Sequence, residues 1–376
     1  MRFDRRHFLG AVMLTGVAAC SGGPQSYGPV AGAAAEGMTP VRNPAYDAWM
    51  QGFYARAEGA GYSRSFLNRA FAGTGYLPGV VERDRNQTEF SRSLEDYLSI
   101  AVSDERVAKG RAAFARHRGT LMALEQRYGV DAQIIAAIWG LESFYGERRG
   151  DIPVLSATTT LAFDGRRGVM FEKQTMAALR ILQEGHVSPD RFTGSWAGAM
   201  GHTQFMPTSF QAFAVDFTGD GRADIWADDP TDALASTAAY LSRNGWQRGL
   251  RWGREAPSGS GGLQPQAGGP SFETTANFRV IKRYNNSDSY ALGVGLLSDR
   301  IMGGGPLRGS FPPDAYGLTK SDRIALQRSL NASGYDVGTP DGVFGTKTRT
   351  AIEAFQRRAG LPVTGEPSVE LLRMLG

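Results

Sequence analysis

Residues 131–151 read "DAQIIAAIWGLESFYGERRGD". Ile135, Ile138, position 142 and Tyr145 follow one another at helical spacing, on one face of an α-helix. Position 142 is a glutamate. A carboxylate turned toward the packed side of a helix resists ionisation, because removal from water penalises the charged form. Held protonated near neutral pH, it can give its proton to a leaving oxygen. The plainer reading puts Glu142 at the edge of the stripe, reaching out to Arg148 or Arg149. Asp131 reads as the N-cap of this helix.

The flanks are helical too. "PAYDAWMQGFYARAEGAGY", from Pro44, sets Trp49, Phe53 and Ala57 four apart. "SRSLEDYLSIAVSDERVAKGRAAFARHRGTLMALEQRYGV" (91–130) predicts two long helices closed by Gly129. "FEKQTMAALRILQEG" (171–185) and "DALASTAAYLSRNGW" (232–246) are amphipathic helices. Residues 247–283 carry "EAPSGSGGLQPQAGGP" and the β-like "NFRVIKRY", so a small strand or loop excursion is expected there. "MGGGPLRGSFPPDAYGLTK" (302–320) breaks the periodicity. Beyond it Ser321 reads as a cap, Ile324, Leu326 and Leu330 as apolar, Ile352 and Phe355 as inward, and a last helix falls near 368–375. The fold class is mainly α, with a small β/loop excursion and a three-helix C-terminal unit. The expected boundaries are 1–19, 20–40, 41–305, 306–317 and 318–376.

A chain of 376 residues, 41% hydrophobic and 21% charged, can bury a sizeable core and more than one domain. A net charge of +4 without a dense Lys/Arg stripe gives no indication of nucleic acid. The single cysteine, Cys20, excludes an intramolecular disulfide. His7, His117, His186 and His202 are scattered, with no His/Cys cluster suited to zinc. The chain opens "MRFDRRHFLGAVMLTGVAAC": charged residues, the apolar run Phe8–Ala19, then small residues. This reads as a signal peptide of residues 1–19, too short to span a membrane permanently. "VAAC" resembles a bacterial lipobox, which implies acylation of Cys20. Arg5-Arg6 resembles a twin-arginine (Tat) export signal, although an ordinary Sec signal fits the same pair. Residues 21–40 would be a flexible leash. The expected location is the periplasmic face of the outer membrane, with membrane contact through the lipid anchor alone.

Two further stretches carry chemistry. "SWAGAMGHTQFMPTSF" (195–210) places the small residues Gly198, Ala199 and Gly201 beside Ser195 and Gln204, which can hydrogen-bond hydroxyl or amide groups. "DFTGDGRADIWADDPTD" (216–232) sets Asp216, Thr218 and Asp220 at positions one, three and five of a calcium-type loop. Gly221 is at six and the carbonyl of Arg222 at seven. Position twelve is Ala227, so Asp232 would close the site through a longer loop. An Asx-turn without metal is the other reading.

"IAAIWGLESFYG" and "GAMGHTQFMPTSF" resemble the signature stretches of the membrane-bound lytic murein transglycosylase B family, which has a lysozyme-like helical fold. The likeness runs from about Tyr46 to Ile301, and "RNQTEFSRSLEDYL" (85–98) and "YNNSDSYALGVGLL" (284–297) share it. The terminal unit resembles a three-helix peptidoglycan-binding domain. The resemblance implies Glu142 as sole catalytic acid on the bond between N-acetylmuramic acid and N-acetylglucosamine, giving a 1,6-anhydro end. It implies that Ser195, Gln204, Tyr240, Tyr284 and Asn285 line the glycan cleft. Arg166 and Arg167 would face peptide carboxylates, or form a solvated loop pair. No cofactor is needed for this chemistry. The 216–232 loop offers a place for structural Ca2+ or Na+, and the partners would be peptidoglycan glycan strands and cell-wall synthesis enzymes. Two other readings stay open: a hydrolytic muramidase using Asp151 or Asp164 as second carboxylate, and a non-catalytic wall-binding protein.

Overall fold

The computed structural model describes residues 37–86, 93–257 and 260–376. Its described residues form sixteen α-helices and two short two-stranded antiparallel sheets, so the fold is mainly α as expected. Cys20, the signal segment and most of the expected leash lie outside the described residues. The last residues of the expected leash are docked rather than free, since the Gly37 carbonyl accepts from Gly79 N–H at 2.9 Å. No described helix is long and apolar enough to cross a membrane.

The first seven helices are α1 (Pro44–Gly59), α2 (Arg64–Ala70), α3 (Pro78–Arg85), α4 (Leu94–Ala101), α5 (Asp104–Arg116), α6 (Arg118–Tyr128) and α7 (Ala132–Ser143). β1 (Ile152–Pro153), α8 (Val154–Asp164), α9 (Gly168–Gln183), β2 (Thr193–Gly194), α10 (Pro207–Phe213) and α11 (Thr231–Arg243) follow. β3 (Gly253–Glu255) and β4 (Phe272–Thr274) form the excursion, and α12 (Ala276–Tyr284) and α13 (Asp288–Ile301) complete the larger unit. α14 (Lys320–Ala332), α15 (Thr346–Arg358) and α16 (Val369–Leu375) make the C-terminal unit around Leu326, Leu330, Ile352 and Leu371. β1 pairs with β2 through Ile152–Gly194, and β3 with β4 through Arg254–Glu273.

α7 is the axis of the larger core. Ile134, Ile135, Ala136, Ala137, Ile138, Trp139 and Leu141 are all buried, so the helix is packed on every side rather than along one stripe. It stops at Ser143 because Phe144 and Tyr145 both take left-handed conformations, with φ of 53° and 60°. Tyr145 is therefore not on the helical face that its spacing predicts. Its ring folds back over Gly140, and its hydroxyl donates to the carbonyl of Arg106 at 3.0 Å.

Other local expectations also give way to tertiary partners. Asp131 precedes α7 but does not cap it with its side chain. It accepts from Trp246 Nε1 at 3.0 Å, while Glu125 takes the Ala132 N–H at 2.8 Å. The 91–130 stretch makes three helices, broken where Ser103 caps α5 and again at His117. "NFRVIKRY" is helix α12, not strand. Thr275 caps it, and Phe278 and Ile281, three apart, are buried in the core, which outweighs their β preference. α14 starts from a capping box of Thr319 and Asp322 rather than from Ser321. Residues 306–317 contain no helix, yet they are not loose. Glu255 accepts from the N–H groups of Arg308 and Gly309, and Leu307 and Phe311 pack on the larger core.

Gly140→Ala tests this packing. In a helix interior the change ordinarily stabilises by roughly 0.5–1 kcal/mol. Here the new Cβ would lie 2.5 Å from the Tyr145 ring. Thermal and urea melts are expected to show a loss of about 1–3 kcal/mol instead.

Candidate active site

Glu142 lies in the last turn of α7, where the helix dipole disfavours an anion. Burial pushes its pKa up to about 8, with the hydrogen bond from Tyr290 working the other way. That bond runs from the Tyr290 hydroxyl to Glu142 Oε1 at 2.7 Å. The carboxyl is thus mostly protonated at neutral pH. The edge-of-stripe reading fails, because neither arginine comes to it. Arg149 donates to the carbonyls of Trp226 (2.9 Å) and Ala227 (3.1 Å) and pairs with Asp228. Arg148 stacks over Phe144 at 4.4 Å.

The 195–206 loop is bound to the end of α7. Ser143 Oγ donates to the carbonyl of His202 at 2.5 Å. Gln204 Nε2 donates to the carbonyls of Arg149 (2.9 Å) and Gly201 (2.7 Å). Three loop residues are left-handed: Gly198, Gly201 and, unusually for a residue with a side chain, Gln204 at φ 54°. Ser195 Oγ accepts from the N–H groups of Ala197 (3.3 Å) and Ala199 (3.1 Å), so it shapes the turn. His202 is buried and neutral. Desolvation lowers its pKa to about 4, Trp139 Nε1 donates to its Nδ1 at 3.1 Å, and its Nε2 lies 2.7 Å from the Ala227 carbonyl.

The two expected tyrosines meet at this loop. Tyr284 donates to the Thr203 carbonyl at 2.7 Å, and Tyr240 to that of Arg283 at 2.5 Å. Their rings are 4.9 Å apart, with Phe205 against both. Burial and then the nearby Glu142 push the Tyr284 hydroxyl pKa well above its ordinary value. Asn285 is half-buried at the C-terminal end of α12. Arg166 and Arg167 are neither a solvated pair nor free guanidiniums. Both grip buried Asp84 of α3, with Arg166 Nε at 2.7 Å, though Arg166 keeps about half its side-chain surface exposed. Asp164, a candidate second carboxylate, is paired with Arg85 at 2.6 Å, and Asp151 is exposed.

In the 216–232 loop, carboxylate oxygens of Asp216, Asp220 and Asp232 all lie within 4.8 Å of one another. Asp232, in the first turn of α11, is buried and accepts from the N–H groups of Phe217, Thr218 and Asp224. Asp216 accepts from Gly219, Gly221 and the Thr218 hydroxyl. The backbone N–H of Arg222 donates to Asp220.

Tyr290 is the site residue that sequence reasoning missed. It sits in α13 among Leu292, Val294 and Leu297 and reads as core. A tyrosine in an otherwise aliphatic buried helix is itself a signal, since its hydroxyl needs a partner.

A helical core around one protonated glutamate, with a loop of small residues and two tyrosines bound beside the same helix end, is an acid–base site. The chain belongs to the family described as Transglycosylase SLT domain, whose model matches residues 45–264 and 260–299. A peptidoglycan binding domain matches residues 319–375. The chain is 30% identical over 241 residues to membrane-bound lytic murein transglycosylase B of Escherichia coli (strain K12), covering 54% of this chain and 66% of that protein. It is 42% identical to SltB3 from Pseudomonas aeruginosa, crystallised in complex with NAG-anhNAM-pentapeptide. The TM-score is 0.68 over 88% of this chain and 99% of that one. Escherichia coli Slt35, crystallised in complex with calcium, is 27% identical with a TM-score of 0.59, covering 69% and 93%.

The raised pKa has a stability consequence. An unfolded glutamate ionises near 4.5, whereas folded Glu142 holds its proton to about 8. The native state therefore has full benefit of this group below pH 4.5 and loses it progressively as pH rises to 8. Glu142→Gln lacks this titration. Melts from pH 5 to 9 should show the variant gaining on the wild type up to about pH 8 and levelling above it. A constant difference between the two would mean that Glu142 is an ordinary surface acid.

Proposed function

We propose that the chain is an envelope-tethered lytic transglycosylase that cleaves the β-1,4 bond between N-acetylmuramic acid and N-acetylglucosamine in peptidoglycan. Glu142 gives its proton to the glycosidic oxygen as the bond to the muramoyl C1 breaks. The resulting carboxylate takes the proton of the muramoyl 6-hydroxyl, whose oxygen closes onto C1. Glu142 is then protonated again, no water is consumed, and a 1,6-anhydro end forms. The observation that carries this reading is a single carboxyl held protonated by burial and bonded only, among the described side chains, to Tyr290. Ser195, Gln204, Tyr240, Tyr284 and Asn285 would line the glycan cleft, with the Arg166–Arg167 pair toward the stem peptide. The SltB3 complex with an anhydro-muramoyl pentapeptide supports the product assignment. Acylated Cys20, after export by the Tat or Sec route, would tether the enzyme at the periplasmic face of the outer membrane.

Mass spectrometry of muropeptides released from purified sacculi tests the reaction. Anhydro ends, one water lighter than hydrolysed ends, are expected; reducing muramic ends alone would make the protein a muramidase. Glu142→Gln should lower turnover by roughly 10²–10⁴-fold. The pH profile of kcat/KM should fall on the alkaline side near pH 8, where Glu142 loses its proton. Tyr290→Phe removes a bond that favours the carboxylate, so that limb should move to higher pH.

The 216–232 loop would hold structural Ca2+ or Na+ through Asp216, Thr218, Asp220, the Arg222 carbonyl and Asp232, all hard oxygen donors. A carboxylate can accept backbone N–H groups and still face a cation, so the bonds already made fit this role. The ion would fix the loop and the start of α11, and nothing in the acid–base steps passes through it. Calcium should raise the melting temperature of the wild type but not of Asp220→Ala, read by calorimetry against a chelator control.

A further inference from the structure

Arg323 of α14 is almost wholly buried, with 5% of its side chain exposed. A guanidinium has five N–H donors, and here each finds an acceptor. Nε donates to the Gly342 carbonyl at 2.7 Å; Nη1 donates to Asp314 Oδ2 at 3.3 Å and the Leu318 carbonyl at 3.4 Å. Nη2 donates to Glu95 Oε2 at 2.7 Å and Asp96 Oδ1 at 2.9 Å. The last two acceptors belong to the first turn of α4, in the other unit. Acidic residues at a helix N-terminus are common for dipole reasons alone. The dipole does not account for an arginine of the C-terminal unit buried on them.

A second set of contacts runs beside the first. The Glu95 N–H donates to Gln266 Oε1 at 3.1 Å, in the β3–β4 excursion. The connecting segment lies on the same excursion, with Phe311 against Gly269, Pro312 against Gly268, and Glu255 holding Arg308 and Gly309. Withdrawing Arg323 would strip Glu95, Asp96 and Asp314 of their shared cation and leave its own charge without partners.

We propose that Arg323 latches the C-terminal domain onto α4, so that the two units move as one body. α4 in turn packs on α13, where Gly293 faces Tyr97 and Ala101, and α13 carries Tyr290. A domain that grips the wall would then be held at a fixed placement relative to Glu142. This last consequence rests on the function proposed above; the latch does not.

The test uses the full chain and two variants. Arg323→Ala removes the latch but also bonds inside the C-terminal domain. The double variant Glu95→Ala with Asp96→Ala removes only the α4 side and should fold normally by circular dichroism. Small-angle scattering should find the wild type compact and both variants expanded. Limited proteolysis should cut residues 302–319 at least about tenfold faster in the double variant. A wild type already extended, or a double variant as compact and resistant as the wild type, overturns the latch. In the double variant, cleavage of sacculi should change while turnover of short soluble glycans does not. Equal change on both substrates overturns the fixed-placement consequence. An inactive but compact wild type would count against the proposed function and leave the latch standing.

Discussion

The structure is organised around one proton that burial keeps on a carboxyl group. Glu142 is half-buried, where water stabilises its anion poorly, and lies at the helix end whose dipole opposes negative charge. Tyr290 donates to Oε1, which leaves Oε2 to carry the transferable proton. Were the same glutamate in the first turn of α7, the helix dipole would instead favour its ionisation. Position along the helix and depth in the core act in the same direction here.

Holding that carboxyl in place requires backbone that is locally unfavourable. Phe144, Tyr145 and Gln204 are non-glycine residues in left-handed conformations, each at a cost of about 1–3 kcal/mol. Specific bonds offset the cost: Ser143 to the His202 carbonyl, Tyr145 to the Arg106 carbonyl, and the Gln204 amide to the Arg149 carbonyl. His202 contributes by staying neutral. Bridging Trp139 and Ala227, it ties α7 to the segment leading into α11 without adding a buried charge.

The sequence makes the architecture and the acid legible for the same reason. A charged residue within a long apolar helix is rare enough to need an explanation, and helical periodicity survives most tertiary detail. What it hides is set by partners far along the chain. "NFRVIKRY" has strand-like composition, and only burial against the core around α7 makes it a helix. Tyr145 fits the stripe by spacing, but two left-handed residues remove it. Arg166 and Arg167 look solvated until Asp84, more than eighty residues earlier, is brought beneath them. Tyr290 disappears into an apolar run because periodicity cannot report what a hydroxyl touches.

A single carboxyl with a pKa near 8 is suited to both halves of the proposed reaction. In the two-carboxylate schemes one group is acid and the other must stay ionised, so their pKa values are driven apart. Of the two candidate second groups, Asp164 is committed to Arg85 and Asp151 is exposed, and the hydrogen-bond partner of Glu142 is a tyrosine rather than an anion. The desolvation that keeps Glu142 protonated before cleavage also makes its conjugate base stronger than a solvated carboxylate. Once the proton has gone to the leaving oxygen, that base is better able to recover one from a sugar hydroxyl beside it. An internal hydroxyl has the advantage over water because the substrate already holds it near C1, whereas a water would need a second polar group to position it. In the proposed reaction, closure to an anhydro end would rest on the same burial that sets the acid.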